Sequence, residues 1–193
     1  MIINPIMSFS RPQQGVALIT GLIFMVVLTL IAITAARMAG LEERMSGNMR
    51  DRSMAMQAAE MTLRDAERDI LGGVGISRAF PIAGNSLTPF SATCLNGLCY
   101  NGPYGKGPIA SPTAQDWNVT PVWTLVSMTG APSVAYGTYT GATLTGLSSL
   151  PRYIIEAIYK DAGGGAFFYR ITVRAQGVNP NTVVWLQEVY KPF

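Results

Sequence analysis

The sequence predicts an α+β protein: one long N-terminal helix, apolar and then amphipathic, packed on an antiparallel β-sheet. Three observations predict it. No proline occurs between Gln13 and Phe80. Within that stretch an uncharged run, Val16 to Ala36, passes directly into a charged segment of helical periodicity that ends near Ile70. Beyond Pro151, three runs rich in β-branched and aromatic residues are separated by glycine-rich turns, the pattern of neighbouring antiparallel strands.

The helix is expected over 16–71, with 16–36 as its membrane-spanning part. Its uncharged residues, at about 1.5 Å each, cover roughly 30 Å, the thickness of a bilayer's hydrocarbon core. The apolar run is too long for the core of an ordinary secretory signal, and no small-x-small cleavage site closes a short core. Two readings of residues 1–15 follow. They are a leader removed immediately after Gly15, or the tail of an uncleaved anchor. Arg11 stands alone before the span, whereas Arg37, Arg44, Arg50 and Arg52 follow it. Taken literally, the positive-inside rule would put the C-terminal part in the cytoplasm.

From Leu41, apolar or small residues recur at Met45, Met49, Met56, Ala59, Leu63, Ala66 and Ile70, in steps of three and four once Arg52 fills the gap. That is a helical stripe, one face of which packs on the head and the rest of which is left for neighbours. Charges of both signs lie mostly off the stripe and read as a solvated face, including Asp65 and Asp69 at helical spacing. Gly40, Ser46 and Gly47 weaken the helix locally, each glycine by about 1 kcal/mol against alanine. Gly72-Gly73 is the expected stop.

Residues 72–121 read as a glycine- and proline-rich connection, and 122–193 as the C-terminal sheet. Cys94 and Cys99 flank Asn96-Gly97, a turn dipeptide that brings the two side chains together. They are a disulfide or two free thiols. A disulfide closing so short a loop contributes on the order of 2 kcal/mol in the chain-entropy account. Val122 to Met128 is a strand candidate. The three stronger strands are Tyr153 to Lys160, Ala166 to Ala175 and Thr182 to Lys191. In the middle one, Phe167, Tyr169, Ile171, Val173 and Ala175 share a face opposite Phe168, Arg170, Thr172, Arg174 and Gln176. Glu156 and Glu188 sit on strands, placed either to face each other or to pair across strands with Arg170 or Arg174.

The chain has 193 residues, 13% of them charged, a net charge of +3 and no histidine. Histidine is the commonest general base and metal ligand, and its absence narrows the chemistry available. No catalytic constellation, metal site or cofactor is expected: two sulfurs do not complete a tetrahedral shell, and no nucleophile stands at motif spacing beside a base. The basic residues are scattered, so nucleic acid is not an expected partner.

These residues carry a family resemblance. Gly15 followed by an apolar helix, an amphipathic continuation and an antiparallel sheet resembles a type IV prepilin. Within the helix lies the run Leu41-Glu42-Glu43-Arg44-Met45-Ser46-Gly47-Asn48-Met49-Arg50-Asp51-Arg52. It continues as Met56-Gln57-Ala58-Ala59-Glu60, and the whole is similar to the N-terminal motif of PilX-type minor pilins. Tyr169 to Arg174 and Asn181 to Tyr190 are similar to that family's last two strands. The resemblance implies a type IV pilin-like fold and a prepilin peptidase that cuts between Gly15 and Val16 and methylates Val16. It implies an inner-membrane single pass with a periplasmic head, outweighing the charge count, and later incorporation in the extracellular pilus. The implied partners are other minor pilins, the major pilin and a PilY-type tip adhesin. The implied role is to help initiate assembly at or near the fibre tip, in support of twitching motility and adhesion. Most pilins carry glutamate where this chain has Thr20, which brings no carboxylate to pair with the amine of a subunit ahead. The alternatives are the tip pseudopilin of a type II secretion system and a single-pass periplasmic receptor or scaffold.

Overall fold

The computed structural model describes residues 14–72, 89–91, 93–100, 122–160 and 166–191, with the side chains of 14, 158–160 and 166–167 left aside. Residues 1–13, most of the 72–121 connection and residues 161–165 lie outside the described residues. Helix α1 is Gln14–Leu71. The strands are β1 Leu98–Tyr100, β2 Val134–Ala135, β3 Arg152–Lys160, β4 Ala166–Gln176 and β5 Val183–Tyr190. The chain divides after Asn48 into two units, taken in turn.

In the first unit α1 is exposed along its whole length, and its apolar part is long and greasy enough to cross a membrane. Its hydroxyls are satisfied within the helix. Thr20 donates to the carbonyls of Val16 and Ala17 at 2.9 and 3.0 Å, Thr29 to Val26 and Thr34 to Ile31 at 2.8 Å. Such back-bonding lets a polar residue sit in an apolar setting without an outside partner. The helix is unbroken through Gly40 and Gly47, so the local loosening their propensities suggest is absent here.

In the second unit the remainder of α1 lies on a sheet of order β1-β3-β4-β5, with β2 also on β3. β3, β4 and β5 pair antiparallel, as their short connections require. β1 departs from the antiparallel expectation. It runs parallel to β3, with Leu98 opposite Ile155, because it arrives from a distant segment rather than through a hairpin. Val122 to Met128 is also corrected. Leu125 and Val126 donate to the Val122 carbonyl, so this segment winds into a 3-10 turn instead of extending.

The core between α1 and the sheet sets small helix residues against large strand residues. Ala55, Ala58, Ala59 and Ala66 are buried against Tyr153, Ile155, Tyr169, Ile171 and Val173. Alanine lets the helix backbone approach the sheet closely enough for the tyrosine rings to fill the gap at interior density. Leu63 and Ile70 complete the face, each contributing about 1.5–3 kcal/mol by burial. The predicted stripe is thus half right. Ala59, Leu63, Ala66 and Ile70 are buried, while Leu41, Met45 and Met49 are exposed. Gly72 ends the helix at φ 112°, its N–H closing on the Arg68 carbonyl at 2.9 Å, a conformation that glycine adopts without a Cβ penalty.

Candidate functional site

Three carboxylates of α1 turn toward the head rather than to solvent. Asp51 and Asp65 are about four helical turns apart, and Asp69 is one turn further, so all three project from nearly one line. Each holds a different part of the sheet layer. Asp51 Oδ1 accepts the backbone N–H groups of Val178 and Asn179, at 2.6 and 3.3 Å, in the β4–β5 turn. Asp65 accepts the Gly137 N–H at 2.8 Å and the Thr140 hydroxyl. The Tyr153 hydroxyl donates to Asp69 at 2.8 Å. Asp65 and Asp69 are both buried, which corrects the solvated-face reading. A carboxylate leaves water only when hydrogen bonds to it replace the hydration, and these turns supply them.

The Asp51 contact needs a glycine opposite. A Cβ at Gly177 would collide with the Asp51 carboxylate, and the Gly177 carbonyl is held by Ser148 through both N–H and hydroxyl. The Thr182 hydroxyl and the two backbone donors keep the Asp51 carboxyl below its ordinary range. At the rim of the same seam, Arg64 and Glu67 pair at 2.5 Å. Partial burial pushes the Glu188 carboxyl of β5 upward; a hydrogen bond and like charge from Glu67 add to this, and Arg64 opposes it.

The opposite face of the sheet carries a second, smaller core. Cys94 and Cys99 form a disulfide with their Cα atoms 4.0 Å apart, packed with Val122, Met128 and Ile154. Asn96 and Gly97 both take positive φ, 54° and 75°, the turn that an Asn-Gly pair suits. A Cβ on Gly97 would meet Val134 at 2.5 Å, so β2 depends on that glycine. On the same face buried Glu156 accepts two bonds from Arg170, at 2.6 and 2.7 Å. This is the cross-strand pair the alternation suggests, and Glu156 holds the Arg170 guanidinium above its ordinary value. Glu188 differs: it lies on the helix side, opposite Ile171, and meets Glu67 and Arg64 instead of a β4 arginine.

The remaining predicted residues fall in two groups. Ala58 and Ala59 are core, and Asp51 is the docking carboxylate. Glu42, Glu43, Arg44, Met45, Gly47, Asn48, Arg50, Arg52, Gln57 and Glu60 are exposed on α1. Gly15, Val16 and Thr20 are exposed near the start of the helix. Asp65, Asp69, Gly137 and Gly177 carry no motif that marks them as site residues in the sequence. The only available signal was that Asp51, Asp65 and Asp69 fall close to the face that also holds Ala58, Leu63 and Ala66.

A helix with a free apolar first half, and a second half forming the spine of an α+β head, defines a pilin-type subunit. Two family models match this chain: PilX N-terminal over residues 14–64, and Type IV pilus assembly protein PilX C-term over residues 91–192. The chain belongs to the PilX family and is a minor pilin of the type IV pilus. No curated protein and no solved structure gives a match.

Proposed function

We propose that this chain helps initiate type IV pilus assembly at or near the fibre tip, in support of twitching motility and adhesion. The observation that carries the placement is Thr20. Its hydroxyl is spent on the carbonyls of Val16 and Ala17, and the first acidic residue in the sequence is Glu42. The apolar half therefore offers no carboxylate to the N-terminal amine of a subunit ahead, and a tip subunit needs none. In this reading a prepilin peptidase cuts between Gly15 and Val16 and methylates Val16. The span then holds the chain once in the inner membrane with its head in the periplasm. Exposed Leu41, Met45 and Met49 pack on other minor pilins and the major pilin, and the head meets a PilY-type adhesin.

Two measurements test it. The intact mass of the mature protein is expected to lack residues 1–15 and to carry one methyl group. Retention of Met1 would instead favour a receptor or scaffold. Cysteine placed at Thr20 is expected to give no regular subunit-to-subunit ladder on cross-linking of assembled fibres. Such a ladder would rule out the tip position.

A further inference from the structure

The sheet face turned away from α1 carries its charges unevenly. Register places Glu156, Arg170 and Val189 in one cross-strand row, and Arg152, Arg174 and Trp185 in another. In the first row the buried acid neutralises the arginine. In the second row two arginines stand directly opposite each other, an arrangement that repels. Among the described residues neither has a carboxylate within ion-pair distance. Arg152 donates to the hydroxyl of Ser133 at 2.8 Å and to its carbonyl, which orients the guanidinium without neutralising it. Arg174 donates no hydrogen bond to a described residue. Beside it Trp185 is 43% exposed, its ring 5.3 Å from that of Trp123, so an aromatic shelf borders the cationic pair.

Tryptophan and arginine are enriched among the residues that anchor protein contacts, and a pair of like charges with no counter-ion among the described residues selects a partner of opposite sign. We propose that this row is the docking site for an acidic segment of another pilus protein. A carboxylate sits between Arg174 and Arg152, and an apolar part of the same segment lies on Trp185. The partner's acid then does for this row what Glu156 does for its neighbour. The identity of the partner class rests on the assembly role proposed above.

The test uses the full-length chain in its own host, with a photo-crosslinking phenylalanine analogue at Gln187, exposed on this face one row from Trp185. Irradiation is expected to join it to a pilus protein through a peptide containing Asp or Glu. Arg174→Gln and Trp185→Ala are each expected to weaken that adduct about tenfold, while Arg174→Lys retains most of it. Non-reducing immunoblots check that each variant accumulates with its disulfide formed, so an unfolded variant is not counted. An unchanged adduct in Arg174→Gln, an adduct to a peptide without acids or to a saccharide or lipid, or no adduct at all overturns the proposal. Sheared fibres are probed for the chain in parallel. If the chain is absent from them, the assembly reading falls and this site with it. If it is present and the adduct fails, only the docking site falls.

Discussion

The Tyr153 hydroxyl donates to the carboxylate of Asp69 at 2.8 Å, across the seam between helix and sheet, with both side chains buried. It joins the last turn of α1 to the strand at the centre of the sheet. Tyr153→Phe keeps the ring and removes the donor. It is expected to cost about 1–3 kcal/mol in denaturant unfolding of the detergent-solubilised full chain. In a double-mutant cycle with Asp69→Ala, which removes the acceptor, the two losses are expected to be less than additive, because both remove one shared interaction. Fully additive losses would show that the contact is not energetically coupled.

Asp65 stitches the turn after β2 to the helix through Gly137 and Thr140. Asp65→Ala leaves the Gly137 N–H without its acceptor and is expected to cost about 2–4 kcal/mol, since bonds to a charged acceptor are worth more than neutral ones. Hydrogen exchange at the Gly137 amide is the local readout. It is expected to accelerate far more than exchange in the centre of β4.

Asp51 and Gly177 are expected to act as one unit. Gly177→Ala pushes a methyl group into the carboxylate, so it should lower the melting temperature strongly in the parent and much less in an Asp51→Ala background. The pH dependence has a defined sign. The Asp51 carboxyl is held below its ordinary value, so its contribution is present above the unfolded value and is lost as pH falls through the lower, folded one. Asp51→Asn is therefore expected to destabilise at neutral pH and to converge with the parent in strong acid. A constant difference across that range would refute the assignment.

Glu188 predicts the reverse. Its carboxyl is raised in the folded chain, so the folded state takes up the proton more readily than the unfolded chain. Stability is greatest below the ordinary carboxylate value and declines as pH rises through the folded one. Glu188→Gln removes the conflict with Glu67 and is expected to raise the melting temperature at neutral pH, with no gain in acid. A loss at neutral pH would mean that Arg64, not Glu67, dominates its surroundings.

The disulfide closes a short loop, so replacing Cys94 and Cys99 by serine is expected to cost about 2 kcal/mol in the chain-entropy account. The α1–sheet core lies on the other face of the sheet. The helical circular dichroism signal is therefore expected to persist and the loss to concentrate around β1 and β2. Collapse of the whole head would assign the disulfide a larger role.

The sequence by itself determined several features that depend on neighbours along the chain, though not the conformation of Val122 to Met128 or the continuity of α1 through Gly40 and Gly47. The apolar run, the stop at Gly72, the alternation of β3, β4 and β5 and the Asn96-Gly97 turn between the cysteines all follow from periodicity or turn chemistry, whereas sheet register chose Arg170 among the partners open to Glu156. Periodicity and turn chemistry act over a few residues, and a single chain displays them. Tertiary structure alone decided that Asp51, Asp65 and Asp69 face the head. A helical carboxylate looks the same in sequence whether water or a turn many residues away receives it. It also decided that β1 joins in parallel, and that the apolar residues of Val122 to Met128 cover the outer face as a turn instead of pairing as a strand. Their burial was legible from hydrophobicity, but their conformation was set by the surface they meet. Leu41, Met45 and Met49 mark the same boundary: the stripe is written in the sequence, but burial reaches only Ala59, Leu63, Ala66 and Ile70 of it, while these three stay exposed.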